Sequence, residues 1–394
     1  SLVNAPKPLY KQVLSALRFL YQSTANYDLF HFNRVEGAYL GIRHYWFEPL
    51  PHTVLDIKTG YAFSREYWQH RYGIHYCLWG RPVLYAGIEY RDEIKHRPVI
   101  LASPDFNPAF WNLLTKADPF DYYLEKGFRF GVAANLTKHT RIALGYRDYR
   151  QSSEVNNTEY SFFRKSKTYR LNPSVVNGIL RSISARFTYD SHKRARIKGR
   201  EAILLSRLFT RLELGVEVAS PNLIDNDFDF VRYYCRLKRT GSTPLPGLTT
   251  VEVFVGGSNG TLPPQKYFTV DFSYKVLSED MFFRTVGEKN FTGNRVAAAY
   301  LSHNFGFWCF RKIGLPLVKR IPLSLSIYGG AFWADFIDHT AQPGDDLIRI
   351  APRAYKEIGF SIGRIPPLSC RVDFTWQLSR YDTNRFTLSF GFDF

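Results

Sequence analysis

A Gly-Gly-Ser-Asn-Gly run at residues 256–260 has the pattern of a catalytic motif. It satisfies the G-x-S-x-G form of a hydrolase nucleophile elbow, and a predicted strand, 251–255, precedes it. The elbow requires a helix directly after the serine, to aim the hydroxyl and to supply backbone N–H groups. Pro263 and Pro264 follow instead, and they argue against a regular helix there. We therefore predict a strand-end turn at Ser258. The run also lacks the Lys and Ser/Thr of a phosphate-binding loop.

The histidines and cysteines do not have the spacing of metal ligands. His70 and His75 flank a short predicted turn, without an H-E-x-x-H pattern. The four cysteines lie far apart, and none has the close paired spacing of a zinc site. Cys309 and Cys370 fall beside predicted turns at one end of the fold, and the sequence leaves a disulfide between them open. We expect a protein that is not an enzyme and that binds no metal or cofactor.

The last nine residues, 386–394, are the clearest indication of the type of secondary structure in this chain. Apolar residues alternate there with polar or small ones; the apolar set is Phe386, Leu388, Phe390, Phe392 and Phe394. Such alternation gives one apolar and one polar face, as in a barrel strand between lipid and lumen, although a soluble sandwich strand can alternate in the same way. A chain that ends on this strand with a terminal Phe resembles outer-membrane β-barrels, which carry a C-terminal assembly signal. This resemblance implies the outer membrane of a diderm bacterium.

Composition agrees with a β-barrel and excludes helical spans. The chain has 394 residues, and it contains no apolar run of about 18 residues that could form a membrane helix. Its aromatic content of 17% suits the aromatic girdles of a transmembrane barrel. The net charge of +17 is spread along strands and turns without a nucleic-acid-binding signature. We therefore expect no nucleic-acid partner, and instead contacts with outer-membrane lipids and lipopolysaccharide.

Periodicity along the chain predicts an all-β fold, a closed antiparallel transmembrane β-barrel of about sixteen strands with a short N-terminal amphipathic helix. The predicted strands are 34–47, 53–67, 72–80, 82–94, 123–136, 139–153, 159–169, 178–190, 201–219, 228–238, 248–258, 293–306, 321–333, 354–364, 369–380 and 385–394. An even number is the rule for bacterial single-chain barrels. We expect the first strand to pair with the last.

The domain prediction is a pre-barrel segment, 1–33, followed by the barrel, 34–394. Apolar residues recur at helical spacing between Pro8 and Ser23, which predicts the amphipathic helix. Ser1 is not followed by a signal peptide, and since a barrel must be exported we expect either a mature fragment or a barrel whose upstream region is missing. Two long connections, 96–122 and 259–292, stand out, because loops of that length are usually functional or disordered.

The region from Gly256 to the C terminus resembles the BamA/TamA surface-antigen superfamily of outer-membrane assembly barrels. The residues that carry this resemblance are Leu262-Pro263, Phe268, the tip Phe283-Arg284-Thr285-Val286, Gly293-Asn294-Arg295, and Tyr328-Gly329-Gly330-Ala331-Phe332-Trp333. They are similar to that superfamily's sixth extracellular loop and to the strand that this loop contacts. Phe32 to Gly37 looks like the start of a first strand in a poorly characterised branch, whose members often carry a carboxypeptidase-regulatory-like domain upstream. The resemblance implies that 261–292 folds into the lumen and places Arg284 near Tyr328 and Gly330.

Three positions depart from the superfamily's pattern. The tip glycine is Thr285, the aspartate that grips the tip arginine is Tyr328, and a glutamate position falls at Ser302. We therefore expect Arg284 to lack these carboxylates, to find other acceptors, and to stack on the Tyr328 ring.

Two functions follow from this reading. The first is an assembly or translocation factor with a lateral gate between the first and last strands, carried by Arg34, Gly37, Gly41, Phe390 and Gly391; its partners would be client outer-membrane proteins. The alternative is a non-catalytic structural or channel barrel, a subunit of a larger envelope complex, that keeps the loop as a plug.

Overall fold

The computed structural model contains one sixteen-stranded antiparallel sheet. Its strands follow one another in chain order, and two small hairpins stand outside it. The structure describes residues 27–47, 49–80, 83–100, 109–197, 200–204, 206–223, 225–270, 283–287, 290–312, 321, 323–337, 348–366 and 369–392. The predicted helix at 8–23 and the terminal Phe394 lie outside these residues, as does the side chain of Phe392.

The sheet strands are β1 (Phe30–Asn33), β2 (Gly37–Phe47), β3 (Thr53–Ala62), β4 (Tyr67–Gly80), β5 (Val83–His96), β6 (Tyr122–Asn135), β7 (Thr140–Ser153), β8 (Gly178–Asp190), β11 (Phe209–Ala219), β12 (Phe230–Gly241), β13 (Leu248–Gly260), β16 (Arg295–Gly306), β17 (Ser324–Asp335), β18 (Ala351–Ile365), β19 (Cys370–Gln377) and β20 (Phe386–Phe392). Two small hairpins stand apart, β9 (Lys193–Ile197) with β10 (Arg200–Leu204), and β14 (Phe268–Val270) with β15 (Phe291–Gly293). Short helices occupy Ala109–Thr115 and Trp308–Lys312, and a 3-10 turn occupies Pro264–Lys266. In the described part of the chain no helix is long and apolar enough to cross a membrane.

Alternation assigns each strand an outer and an inner face. In β20 the apolar Phe386, Leu388 and Phe390 are 40–48% exposed, whereas Thr387 and Ser389 are buried. In β6 the alternate residues Lys126, Phe128, Phe130 and Val132 are likewise exposed. Because strand side chains point in turn to opposite faces, the polar side chains gather on the inner face.

The structure corrects the predicted strands at three places. Residues 159–169, predicted as a strand, belong to none; the backbone N–H of Phe162 donates instead to Leu113 O (2.8 Å). The sheet begins at Phe30, and Arg34, predicted inside the first strand, lies in a turn. Of the predicted strand 201–219, the first residues pair with β9 in a separate hairpin. The predicted number of strands is thus reached because one false strand is offset by one missed strand.

The strand order has two ends, β1 and β20. Among the ladders of the described residues none joins β20 to β1 or β2, so the predicted pairing of first and last strands stays a prediction. β1 pairs with β2 only from Gly37 to Leu40, and one further bond joins Gly41 N to Leu29 O (2.9 Å).

Candidate functional site

The connection between β13 and β16 begins by crossing the inner face of the sheet. The Gln265 side-chain amide donates to Gln151 Oε1 on β7 (3.0 Å), and Lys266 Nζ lies 2.9 Å from Glu217 Oε1 on β11. Phe268 then packs under the Arg232 guanidinium on β12, 4.2 Å from its ring centre. One short segment therefore contacts several strands, which requires the sheet to curve around it.

The tip of this connection, 283–287, buries Arg284 at 2% exposure. Its guanidinium lies over the Tyr328 ring, 4.1 Å from the ring centre, and donates to the Tyr300 hydroxyl. Its Nε is 3.3 Å from Asp373 Oδ2. The predicted proximity of Arg284 to Tyr328 is confirmed, while the functional role of the loop stays a prediction.

The tip backbone is held by a second carboxylate. Glu357 on β18 accepts hydrogen bonds from the N–H groups of Arg284 (2.9 Å) and Thr285 (3.0 Å). It also accepts from the Thr285 hydroxyl (2.6 Å), which lies 2.6 Å from the Tyr355 hydroxyl. The residue that replaces the superfamily's glycine thus adds bonds that a glycine could not make.

Apolar contacts complete the site. Phe283 and Val286 are fully buried in one cluster with Phe332 and Tyr355. Gly330 lies under the Phe283 ring, where a Cβ atom would overlap that ring. Val286 and Gly330 therefore shape the socket of the tip without making polar contacts of their own.

Arg284 receives no carboxylate from positions 328 and 302, as expected, and it finds other acceptors. Asp373 on β19 and Glu357 on β18, which the sequence reading did not identify, supply the negative charge. Burial by itself lowers the pKa of Arg284, yet its interactions with Tyr300, Asp373, Tyr328 and Glu357 outweigh burial and raise that pKa. The signal in the sequence was the acidic residue at an inward position of each strand, Glu357 before Ile358 and Asp373 before Phe374.

The predicted gate residues fall into two separate places. Arg34 is fully buried in the β1–β2 turn, where its guanidinium contacts Asp118 (3.2 Å) and Asn172 Oδ1 (3.1 Å). Gly37 closes that turn with a φ of +66°, which favours glycine. Phe390 and Gly391 lie on β20, paired with Val372 and Arg371 of β19.

The residues with catalytic spacing are not assembled into a reactive group. Ser258 lies inside β13, and its hydroxyl donates to Asn294 O (3.4 Å). None of the four cysteines is in a disulfide, so no Cys309–Cys370 bond forms. Within the described ranges no group of three or more His, Cys, Asp or Glu is arranged to hold a metal ion.

No family model and no curated protein matches this chain. Solved structures do match. BamA from Haemophilus ducreyi lacking POTRA domains 1–3 gives a TM-score of 0.49 at 10% identity, over 91% of this chain and 68% of that one. CdiB from Acinetobacter baumannii gives a TM-score of 0.41 at 10% identity, over 89% of this chain and 56% of that one.

Proposed function

We propose that this chain is an outer-membrane β-barrel that assembles or translocates other outer-membrane components through a lateral gate. The apolar outer face supports the membrane location. Exposed apolar side chains occupy alternate positions of many strands, including Leu40 and Ile42 on β2, Ile74 and Tyr76 on β4, and Leu388 and Phe390 on β20. A soluble protein does not leave so extensive an apolar surface in water. The same surface makes outer-membrane lipids and lipopolysaccharide the immediate partners.

The observation that supports this mechanism is that two edges of the sheet, β2 beyond Gly41 and β20, have no described partner strand; in a closed barrel these edges would meet at one seam. β1 covers the outer edge of β2 only as far as Gly41, so Ile42 to Phe47 have no described neighbour on that side. β20 pairs on one side with β19 and on its other side with no described strand. Among the described residues, the backbone N–H and C=O groups along these two edges therefore have no ladder partner.

Unpaired backbone is costly in the hydrocarbon layer, because nothing there replaces the missing hydrogen bonds. The two edges must therefore pair with each other or with a strand from another protein. Pairing with a client strand is edge addition, in which backbone hydrogen bonds provide the affinity. A closed barrel whose seam opens for a client satisfies both requirements, and an unfolded outer-membrane protein supplies such strands.

Each side of the seam is braced separately by contacts on the inner face. Arg284 and Thr285 tie β16, β18 and β19 together from inside, next to β20. On the other side, the Arg34 turn anchors β1 and β2 to the connection that follows β5, through Asp118. We infer that opening separates two braced walls without unfolding either of them.

Cysteine cross-linking in cells tests this function. In a cysteine-free background, Ile42→Cys or His44→Cys is combined with Leu388→Cys or Phe390→Cys, and a bifunctional thiol reagent locks the seam. We expect locking to block growth or to deplete envelope proteins, because a client strand can no longer enter.

The matched control locks two strands that already pair. Trp376 and Phe386 face each other across β19 and β20 and are exposed like the seam residues, so a Trp376→Cys/Phe386→Cys pair adds the same cross-link away from the seam. It should leave growth unchanged. If the seam-locked protein supports growth and envelope protein levels as well as this control, lateral gating is not its job.

The second candidate is a structural or channel barrel within an envelope complex. The filled inner face supports the structural form, because Tyr267, Phe268 and the buried Arg284 tip occupy space that a wide channel would need open. Growth of the seam-locked cells, together with co-purified subunits, would favour this function. Single-channel conductance of the reconstituted protein would separate a channel from a closed structural barrel.

A further inference from the structure

A cavity of ≈ 380 Å³ lies on the inner face of the sheet, away from the Arg284 tip. Its wall is formed by β5 to β8, β11 to β13 and the first half of the long connection. Lys and Arg side chains on the wall outnumber carboxylates, which are Glu125, Glu213 and Glu217. A volume of this size suits a small ligand.

The carboxylates on the wall are already engaged. Glu217 is shared between Arg147 Nη1 (2.6 Å) and Lys266 Nζ (2.9 Å). Glu213 accepts from the Tyr234 hydroxyl (2.7 Å) and lies 3.5 Å from Arg186 Nε. Glu125 accepts from the Gln151 side-chain amide (3.0 Å) and lies 3.6 Å from Arg91 Nη1. No carboxylate that lines the cavity is therefore left to balance the remaining cations.

Two arginines on the wall, Arg129 and Arg232, form no hydrogen bond and no ion pair with the described residues. Arg129 stands directly opposite Arg147 in the β6–β7 register, a like-charge pairing that is unfavourable in a sheet. It also stands opposite Glu89 on β5, but Glu89 accepts from Arg91 Nε (2.5 Å). Arg232 rests on the Phe268 ring, and its buried Nε has no acceptor.

A buried hydroxyl is also left without a partner. Tyr149 on β7 lines the cavity at 2% exposure, and its Oη has no hydrogen-bond partner. Buried polar groups normally have partners, so an orphan hydroxyl beside orphan guanidinium groups indicates a missing acceptor.

We propose that this cavity binds a phosphate-bearing anion, held by Arg129, Arg147, Arg232 and Lys266, with Tyr149 donating a hydrogen bond. A phosphate group carries several strong acceptor oxygens and matches the paired N–H groups of a guanidinium. It would relieve the repulsion between Arg129 and Arg147 and give the orphan Arg232 Nε and Tyr149 Oη an acceptor. The ligand is either a soluble phosphorylated molecule or the phosphorylated head group of a lipid.

The test uses the full chain in detergent micelles, with pyrophosphate as the soluble probe and calorimetry as the readout. The substitutions are Arg129→Gln, Arg232→Gln and Tyr149→Phe. We expect each arginine substitution to weaken pyrophosphate binding about tenfold or more, and Tyr149→Phe to weaken it less, because a charge-assisted bond is stronger than a neutral one. Added salt should weaken binding by the wild-type chain.

Arg239→Gln is the matched control for Arg232→Gln. Arg239 lies on the same strand but is exposed and does not line the cavity. The Arg239→Gln variant should bind pyrophosphate with the same affinity as the wild-type chain. Retained heat-modifiable mobility on gels verifies that each variant is folded.

Competition experiments distinguish a lipid ligand from a soluble one. Vesicles with phosphorylated head groups either displace pyrophosphate, which assigns a lipid ligand, or leave it bound, which assigns a soluble one; both support the site. Absence of pyrophosphate binding, or equal binding by the wild type and an Arg129→Gln/Arg232→Gln double variant, overturns it. Citrate binding as tight as pyrophosphate binding overturns the phosphate assignment.

Discussion

Arg284 illustrates what a single position can and cannot disclose. The resemblance places its side chain against Tyr328, and the ring does take the guanidinium. The charge partner, however, has moved to Asp373 on another strand, while the Tyr328 hydroxyl is used to bond Thr375 Oγ1 (2.8 Å). Sequence reveals the types of these residues but not the register that brings β17 and β19 to one level. The aromatic contact of Arg284 could therefore be predicted from the sequence, but its acidic partner could not.

Glu357→Ala tests how the tip is held. The substitution leaves three donors, Arg284 N, Thr285 N and Thr285 Oγ1, without their acceptor inside the protein. We expect the free energy of unfolding to fall by about 2–5 kcal/mol, because buried donors left without an acceptor are costly and Arg284 loses one of the two carboxylates near its charge. Urea unfolding in detergent, followed by heat-modifiable mobility, measures it.

Asp225→Ala is the control, since it removes a carboxylate that is 98% exposed and pairs with Arg181 at the surface. It should change stability by about 0.5 kcal/mol or less. Equal effects of the two substitutions would mean that Glu357 does not hold the tip.

Strands are predicted correctly where apolar and polar residues alternate over a long stretch. The prediction fails where the backbone forms hydrogen bonds with partners other than a neighbouring strand. β6 and β7 read clearly because each alternates over fourteen residues. The segment 159–169 carries alternating Tyr160 and Phe162, but its backbone bonds go to Leu113 and to a side chain of its own segment. The Arg34 turn was missed because Asn33 Oδ1 caps it, accepting from Val35 N (2.9 Å) and Glu36 N (2.8 Å). Such side-chain capping competes locally with strand pairing, and it produces no periodic sequence pattern from which it could be predicted.

Gly60→Ala probes the packing of the first strands. Tyr39 is fully buried against Gly60 across β2 and β3, and its ring stacks on His31 at 4.3 Å. A Cβ atom at Gly60 would overlap that ring, which has no room to retreat. We expect a loss of about 1–3 kcal/mol in the free energy of unfolding. The same urea assay measures it.

Gly131→Ala is the comparison within the same sheet, because a Cβ atom there meets only Leu144 O at 3.6 Å. It should be neutral within about 0.5 kcal/mol, or slightly stabilising, since alanine restricts the unfolded chain more than glycine does. If Gly60→Ala is as well tolerated as Gly131→Ala, the Tyr39 contact does not brace this side of the seam.

At the scale of the whole molecule, the long connection joins distant parts of the sheet. Its first half contacts β7, β11 and β12, and its second half contacts β16 to β19. Residues between β5 and β6 reach the same interior, where Ile100 N donates to Thr269 O (3.0 Å). The interior is thus braced on both sides of the seam while the seam has no such connection among the described residues. This contrast predicts where the barrel should open.

Hydrogen exchange in lipid nanodiscs tests that prediction directly. Amides of Ile42–Phe47 and of β20 should exchange faster than those of β19, which has a neighbour on both sides, Ser361 facing Asp373 and Ser389 facing the same residue. An edge amide without a partner on its own side is protected from exchange only while the two edges are paired. Its exchange rate therefore measures the free energy of opening. Locking the seam through the Ile42→Cys and Phe390→Cys pair should slow exchange at both edges and leave β19 unchanged. Protection at both edges that already equals that of β19, in the unlocked chain, would mean a complete ladder between the first and last strands. The barrel would then be permanently closed, and a structural role would explain it better than a gate.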